Sequence, residues 1–228
     1  MVCGICLEEK PPEGYVLRTF GSTKDLIREA LKGISFSWEE SVAGIDLFFE
    51  NIRDLEEAEG RLREVVYSRG EPMEAVVGKL LKERGLTLST AESCTAGLLS
   101  ARIVNVPGSS EYFLGGVIVY SNDLKVKLLG VSEETIKRWG AVSEETCLEM
   151  LEGLKERFKT DCGIAITGIA GPGGTEEKPE GLTYIGVYFG DRRVIEEHIF
   201  TSGRNGNRFL STQTALNILR KLILGGAS

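Results

Sequence analysis

The chain has 228 residues, of which 42% are hydrophobic and 27% charged, enough to bury a core in one or two domains. Its 27 Lys and Arg residues against 34 Asp and Glu give a net charge of −7, which disfavours nonspecific nucleic-acid binding because neutralising phosphates requires basic patches. No apolar run approaches the roughly 20 residues of a membrane helix, and no signal segment opens the chain. We therefore expect a cytoplasmic protein with neither a nucleic-acid nor a membrane partner.

Residues 1–70 predict a small α+β domain after a polar tail at residues 1–14. This segment carries 9 basic and 14 acidic side chains, a net charge of −5, and shows no G-x-x-G loop for clamping nucleotides. A structural or dimerising role is therefore favoured over RNA binding. The predicted elements are a strand at Val16 to Phe20, a helix at Ser22 to Leu31, strands at Ile34 to Glu39 and Gly44 to Asn51, and a helix at Leu55 to Tyr67 capped by Asp54.

Residues 71–228 predict a second, α/β domain, with the boundary at the Gly and Pro residues of segment 68–72. Alternating strands and helices indicate a mostly parallel sheet with one hairpin. The predicted elements are a helix at Met73 to Arg84, a helix from the Ser93 junction to Val104, a strand at Phe113 to Tyr120 buried on both faces, a helix within Ser121 to Gly130, helices starting at Ser132 and Ser143, a strand at Cys162 to Thr167, hairpin strands at Leu182 to Phe189 and Val194 to Thr201, and a last helix at about Gln213 to Leu224.

Segment 87–97 is the first candidate site, because apolar spacing changes there from strand-like to helical across a cluster of hydroxyls. A serine at a strand-to-helix junction lies beside unpaired N–H groups, which can hold an oxyanion or a phosphate. An ordinary helix cap is the alternative for Ser93. Ligands of open α/β sheets bind at the carboxyl ends of strands, where this segment and the loop after Thr167 both lie.

Three further segments could supply chemistry. Segment 120–125 places Tyr120, Asn122 and Lys125 directly after a strand, and a desolvated lysine there could act as the base for a serine. A solvated helix lysine is the alternative. The glycine-rich segment 167–175 could wrap an anion with its N–H groups, or it could be a plain turn. Arg204 and Arg208, in a predicted loop, could clamp phosphate or carboxylate.

The numbers and positions of histidine and cysteine residues restrict the possible catalytic mechanisms and metal sites. The single histidine, His198, lies in a predicted strand without a partner motif, so a histidine-based triad or metal site is disfavoured. The five cysteines are too scattered for a disulfide framework, and the lone pair Cys3 and Cys6 does not predict a zinc site. If the chain is a hydrolase, its base is expected to be lysine, tyrosine, a carboxylate or water.

Four motifs together resemble the CinA C-terminal family: Thr-Ala-Glu-Ser-Cys-Thr-Ala-Gly at 90–97, Tyr-Ser-Asn with the lysine at 120–125, Gly-Ala-Val-Ser-Glu at 140–144, and Thr-Gly-Ile-Ala-Gly-Pro at 167–172 with Glu-Lys-Pro at 177–179. The family pattern usually has Gly-Gly after Cys-Thr, whereas Ala96 stands first here. Active members are nicotinamide-nucleotide amidohydrolases, which convert nicotinamide mononucleotide and water to nicotinic acid mononucleotide and ammonia.

The resemblance also implies a three-layer α/β/α fold and a homodimer. Segment 15–67 resembles the small KH-type middle domain of CinA proteins. The molybdopterin-binding-like first domain of those proteins has no counterpart in these 228 residues, so we do not expect its pyrophosphatase activity here.

Carried over to this chain, the resemblance makes Ser93 the nucleophile that attacks the carboxamide carbon, with Thr167 and an arginine of 204–208 also in the site. Helix N–H groups would stabilise the oxyanion, and neither metal nor cofactor is expected. A noncatalytic nucleotide-binding or assembly module is the alternative. The full candidate set is Ser93, Lys125, Tyr120 and Thr167 for catalysis, and Glu92, Cys94, Thr95, Asn122, Gly168, Gly171, Arg204 and Arg208 for substrate binding.

Overall fold

A computed structural model describes residues 14–175 and 177–225. The predicted polar tail therefore lies outside the described residues except for Gly14, as do Cys3 and Cys6. The chain divides into two compact units, Met1–Pro72 and Met73–Ser228.

The first unit is an antiparallel four-stranded sheet, in the order β2-β3-β1-β4, with two helices. Its core is aliphatic and aromatic, with Leu17, Ile27 and Leu47 fully buried. Burial of such side chains is the main stabilising contribution in a small domain. The elements are β1 (Tyr15–Thr19), α1 (Lys24–Ala30), β2 (Ser37–Ser41), β3 (Gly44–Phe49), α2 (Ile52–Arg61) and β4 (Val66–Ser68).

The predicted helix over Leu55 to Tyr67 was wrong at both ends. Asn51, not Asp54, is the N-cap of α2, and its side chain accepts a hydrogen bond from the Asp54 N–H at 2.9 Å. The helix ends at Arg61, and Val66–Ser68 forms β4 beside β1. β-branched and aromatic residues favour strands where a partner strand is present, and β1 supplies that partner. The resemblance of this unit to a KH-type domain stays a prediction.

The second unit is a three-layer α/β/α sandwich, as predicted, around a five-stranded sheet in the order β6-β5-β7-β8-β9. Strands β6, β5 and β7 are mutually parallel, and β8 and β9 form the predicted hairpin at the other side. The elements are α3 (Met73–Arg84), β5 (Leu88–Glu92), α4 (Leu98–Val104), β6 (Phe113–Ile118), α5 (Asn122–Leu129), α6 (Glu133–Trp139), α7 (Glu144–Phe158), β7 (Cys162–Gly168), β8 (Leu182–Phe189), β9 (Arg192–Ile199) and α8 (Gly203–Leu224).

Helices cover both faces of this sheet. On one face α7 packs against β5, β7 and β8, with α5 and α6 beside it. On the other face α8 packs against β7 and β8, with α3 and α4 beside it. Ser132 and Ser143 cap α6 and α7 as predicted, each accepting a backbone N–H at 3.2 Å.

Strand β6 departs from the prediction because it lies at the edge of the described sheet and is not buried on both faces. Its side chains alternate in exposure, and Leu114 and Ile118 are more than half exposed. An apolar run predicts a strand, but it does not distinguish a central strand from an edge strand.

The last helix begins at Gly203, earlier than the predicted start near Gln213. Its first turns are polar, so apolar periodicity did not predict them. The buried Asn207 side chain accepts a hydrogen bond from the Ser202 N–H at 2.8 Å and so holds the start of the helix. Arg204 and Arg208 therefore lie one turn apart on α8, and the predicted loop was wrong.

Candidate active site

The carboxyl ends of three parallel strands bring the predicted segments together. Glu92, the last residue of β5, is in register with Ile118 of β6 and Ile166 of β7. The segments that follow these strands surround a cavity of about 360 Å³. It is lined by Ser93, Cys94, Tyr120, Asn122, Lys125, Ala141, Val142, Thr167, Gly168, Ile169, Ala170, Gly171, Pro172, Gly173 and Arg204.

Ser93 and Lys125 are in direct contact in this cavity. Ser121 caps α5 and accepts the Leu124 N–H at 3.2 Å, so Lys125 lies at the start of this helix. The Lys125 side chain is 1% exposed. Its Nζ donates hydrogen bonds to Ser93 Oγ at 3.0 Å and to the carbonyl oxygen of Val119 at 2.9 Å. The alternative of a solvated helix lysine does not match this burial.

Burial makes the Lys125 ammonium easier to deprotonate than that of an exposed lysine. Burial lowers the pKa of Lys125 from its ordinary value of 10.5, because removing the ammonium from water disfavours the charged form. Cys94 opposes this shift more weakly. Burial also raises the pKa of the Cys94 thiol to about 11, so this thiol is protonated at neutral pH. Within the described part of the chain, no carboxylate forms an ion pair with Lys125. A neutral amine beside Ser93 Oγ can accept its proton.

The N-terminus of α4 does not serve the site as predicted, because Glu92 occupies it. Helix α4 begins at Leu98, and Ser93 lies in the turn before it. The Glu92 carboxylate is fully buried and accepts four hydrogen bonds, from the N–H groups of Gly97, Leu99 and Ser100 and from the Ser100 hydroxyl. The structure thus gives Glu92 a capping task and not the predicted substrate contact.

Two other N–H groups, those of Cys94 and Thr95, lie in the turn between β5 and α4. The N–H groups of Cys94 and Thr95 make no hydrogen bond to any other described residue. Cys94 directly follows Ser93, the position that supplies an oxyanion-hole N–H in serine hydrolases with a nucleophile at a sharp turn. The Thr95 hydroxyl is buried and has no hydrogen-bond partner among the described residues.

Ala96 completes this turn in a conformation that favours glycine. Its φ is 48°, in the left-handed region, and Gly97 follows with φ 90°. A Cβ in that region costs about 1–2 kcal/mol relative to glycine. Ala96 therefore carries a local strain in the turn that holds Ser93.

Thr167 and the glycines after it form the opposite wall. Thr167 is buried and its hydroxyl donates a hydrogen bond to the Ala141 carbonyl oxygen at 2.7 Å, which ties β7 to the loop between α6 and α7. Gly168 is required by close packing, because a Cβ there would lie 2.8 Å from the Leu182 carbonyl oxygen. Tyr120 is 59% exposed at the rim and forms no hydrogen bond with the described residues around Ser93 and Lys125.

One face of helix α8 makes hydrogen bonds to both the glycine-rich segment and the turn that follows Ser93. Arg204 donates to the Gly171 carbonyl oxygen, and Asn207 Nδ2 donates to that of Ala170 at 3.1 Å. Arg208 donates to the carbonyl oxygens of Cys94 at 3.1 Å and Thr95 at 2.7 Å. Arg204 therefore lines the cavity, whereas Arg208 supports the Ser93 turn from behind. The sequence did not predict a role for Asn207. Arg204, Asn207 and Arg208 stand at i, i+3 and i+4 of α8, a spacing that puts them on one face only because the helix already starts at Gly203.

His198 lies away from the cavity. It is on β9, where its Nε2 is 2.9 Å from Glu196 Oε2 and its ring stacks on Phe200. Among residues 14–175 and 177–225, no three His, Cys, Asp or Glu side chains form a group that could hold a metal ion. Over the same residues, no helix has the length and apolar character needed to span a bilayer.

Solved structures share this fold. The crystal structure of the competence/damage inducible protein CihA from Agrobacterium tumefaciens aligns with a TM-score of 0.64 at 37% identity, covering 66% of this chain and 93% of that chain. A CinA superfamily protein from Klebsiella pneumoniae aligns with a TM-score of 0.65 at 30% identity, covering 67% of this chain and 96% of that chain.

Curated sequences are similar over the same region. A CinA-like protein from Thermotoga maritima is 53% identical over 156 residues, which is 68% of this chain and 38% of that protein. A CinA-like protein from Kosmotoga olearia is 48% identical over 166 residues, which is 72% of this chain and 40% of that protein. The chain thus spans about two fifths of the length of these relatives. A family model described as the CinA C-terminal domain matches residues 70–223, and the chain belongs to that family.

Proposed function

We propose that the second unit is an amidohydrolase that converts nicotinamide mononucleotide and water to nicotinic acid mononucleotide and ammonia. The observation that carries the proposal is the contact between Ser93 Oγ and the buried Lys125 Nζ inside a cavity at the carboxyl ends of the strands. A nucleophile beside a desolvated lysine is a recurrent arrangement for acyl transfer. The choice of substrate follows from the resemblance to the nicotinamide-nucleotide amidohydrolases described in the sequence analysis.

In the first half-reaction, the neutral Lys125 amine takes the proton from Ser93 Oγ as this oxygen attacks the carboxamide carbon. The carbonyl oxygen becomes an oxyanion, and in this proposal the N–H groups of Cys94 and Thr95, which have no hydrogen bond to other described residues, stabilise it. The tetrahedral intermediate collapses as the C–N bond breaks, and Lys125 returns its proton to the departing nitrogen. Ammonia leaves, and the acyl group remains as an ester on Ser93.

In the second half-reaction, water attacks the ester carbon while Lys125 accepts one of its protons. The bond to Ser93 Oγ then breaks, and Lys125 returns the proton to this oxygen. The carboxylate product leaves and the resting site is restored. No redox partner is required, because the net reaction is hydrolysis of one amide bond.

Arg204 is the proposed contact for the 5′-phosphate. It lines the cavity, and its bond to the Gly171 carbonyl oxygen uses only part of the guanidinium. Arg208 is assigned a different task, since its donors go to the carbonyl oxygens of the Ser93 turn. Asn122 and Thr167 line the same space and would contact the ring and its carboxamide.

The test measures ammonia and the acid product from nicotinamide mononucleotide with wild type, Ser93→Ala and Lys125→Met. We expect Lys125→Met to reduce kcat by about 10²- to 10⁴-fold, the usual contribution of a general base, and Ser93→Ala to abolish turnover. Lys127→Met is the matched control, because Lys127 is an exposed residue of α5 that pairs with Asp123 at 2.8 Å. Full activity of Ser93→Ala would overturn the mechanism, and nucleotide binding without ammonia release from wild type would favour the noncatalytic alternative.

A further inference from the structure

The turn between Ser93 and α4 contains four N–H groups, of which two are already used. The Ala96 N–H donates to the Ser93 carbonyl oxygen at 3.1 Å, and the Gly97 N–H donates to the buried capping carboxylate at 3.0 Å. The N–H groups of Cys94 and Thr95 make no hydrogen bond to another described residue. These two are therefore the donors that the turn leaves for a ligand.

Arg208 of α8 binds the same turn through two consecutive carbonyl groups. Its Nε donates to the Cys94 carbonyl oxygen at 3.1 Å, and its Nη2 donates to that of Thr95 at 2.7 Å. One side chain can hold two neighbouring peptide groups in this way because the N–H groups of a guanidinium are fixed in a planar fork. Arg208 does not line the cavity, whereas Cys94 does, so the turn lies between the guanidinium and the cavity.

The two carbonyl contacts also determine where the N–H groups that follow them point. Both peptide bonds are trans, and in a planar trans peptide the N–H is antiparallel to the carbonyl of the preceding residue. Both carbonyl groups point toward Arg208, so the N–H groups of Thr95 and Ala96 point away from it. The contact made by Ala96 identifies this side of the turn, because its N–H reaches the carbonyl oxygen of Ser93, the proposed nucleophile.

The charge of Arg208 acts on the cavity as well. Burial raises the pKa of the Cys94 thiol, which lines the cavity, and the positive charge of Arg208 opposes that rise. The same charge stabilises a negative oxygen that develops on the other side of the turn. Arg208 therefore gives the turn both a fixed orientation and a positive potential, and both suit an oxyanion.

We propose that Arg208 is a positioning residue: by holding two carbonyl groups of the turn, it directs the Thr95 N–H toward the carbonyl oxygen of the substrate and so builds part of the oxyanion site. This proposal rests on the proposed function, in which that oxygen becomes negative as Ser93 attacks. Arg208 itself touches neither the substrate nor the reacting atoms. Its loss therefore affects the transition state more than substrate binding, so kcat should fall while KM changes little.

The activity test measures kcat and KM for nicotinamide mononucleotide in Arg208→Ala and Arg208→Lys. We expect kcat of Arg208→Ala to fall about 10²- to 10³-fold, the usual cost of losing an oxyanion donor, with KM within about twofold of wild type. Arg208→Lys keeps the positive charge and should still lose about tenfold or more, because an ammonium lacks the planar fork. Arg192→Ala is the matched control and should leave kcat unchanged, because Arg192 also donates to a carbonyl oxygen, that of Leu222 at 2.7 Å, and does not line the cavity.

Chemical rescue separates a positioning role from general damage to the fold. Millimolar guanidinium chloride should restore part of kcat in Arg208→Ala, whereas methylammonium chloride at the same concentration should not, because only guanidinium presents a planar fork to both carbonyl groups. Equal rescue by the two ions, or rescue by neither, would overturn the proposal. Arg208→Lys keeps most of the side-chain stem and decides the question if the alanine variant does not fold: a wild-type kcat in Arg208→Lys would overturn the proposal.

A labelling test separates this proposal from the choice of substrate. A fluorophosphonate reacts with an activated serine: Ser93 Oγ bonds to phosphorus, fluoride leaves, and the hydroxyl proton passes to Lys125. The reaction builds negative charge on the phosphoryl oxygen, so its rate, followed by intact mass with Ser93→Ala as the blank, should fall in Arg208→Lys and not in Arg192→Ala. If wild type releases no ammonia, the proposed function fails, and the labelling rates still decide the role of Arg208. Unchanged labelling and turnover in Arg208→Lys would overturn that role and leave the proposed function standing.

Discussion

Replacing the buried Glu92 carboxylate tests how the turn that carries Ser93 is held. Glu92 Oε2 accepts the N–H groups of Gly97 and Leu99, both at 3.0 Å, and Oε1 accepts Ser100 N–H at 2.8 Å and Ser100 Oγ at 2.6 Å. In Glu92→Gln one of these oxygens becomes an NH₂ group, which cannot accept from the N–H groups it faces: one N–H at the Oε1 position, where the Ser100 hydroxyl can turn to accept from it, or two at the Oε2 position. Hydrogen bonds to charged groups contribute about 1.5–3 kcal/mol each, so losing one or two lowers the free energy of unfolding by about 1.5–6 kcal/mol.

The assay is urea unfolding in a Trp38→Phe background, where the fluorescence of Trp139 reports on the second unit alone. We expect the midpoint of Glu92→Gln to fall by about 0.5 M urea or more. Glu111→Gln is the control, since the Glu111 side chain is 54% exposed and pairs with Lys82 at the surface, where such pairs contribute at most about 1 kcal/mol. Equal midpoints for the two variants would refute the capping role of Glu92.

Two further predictions concern the base and the strained turn. Lys125 must be neutral to accept a proton, and burial lowers its pKa. We therefore expect kcat/KM to rise with pH and reach a plateau, with a midpoint below the ordinary lysine value of 10.5. A profile that stays flat over about pH 5–10 would contradict the proposed role of Lys125 as the base. Ala96→Gly should raise the free energy of unfolding by about 1 kcal/mol, because the residue has φ 48°, whereas the same change at the exposed helical Ala101 should lower it by about the same amount. Urea midpoints that move in the same direction for both glycine variants would contradict the assignment of strain.

The sequence predicted the site of the second unit well where a polar or glycine-rich segment directly follows a short apolar strand. The hydroxyl cluster at 90–95 and the glycine-rich segment both follow short apolar strands, and the carboxyl ends of parallel strands must meet at one edge of a sheet. That rule placed the Ser93 and Thr167 loops in one neighbourhood, and the structure has both residues, together with Lys125, around one cavity. The family resemblance supplied the layer arrangement, which is confirmed.

The details that the sequence did not predict depend on contacts between residues that are separated along the chain. In the sequence Glu92 is a polar residue next to Ser93, and only the folded turn shows that its carboxylate accepts N–H groups at the start of α4. The polar start of α8 gives no apolar periodicity, so its helical state follows from tertiary contacts of Asn207 and Arg208. The short strand β4 likewise depends on pairing with β1, which local sequence does not encode.

Helix α8 has a consequence for when the site becomes functional during synthesis. Ser93, Lys125 and Thr167 all precede Gly203 in the chain, yet the turn and the loop that carry the cavity walls are tied down by Arg204, Asn207 and Arg208. A nascent polypeptide that has reached only β9 contains Ser93 and Lys125 without the helix that braces the cavity walls. Most of α8 must therefore leave the ribosome before the cavity walls are ordered, so an unfinished chain contains these side chains without their final alignment.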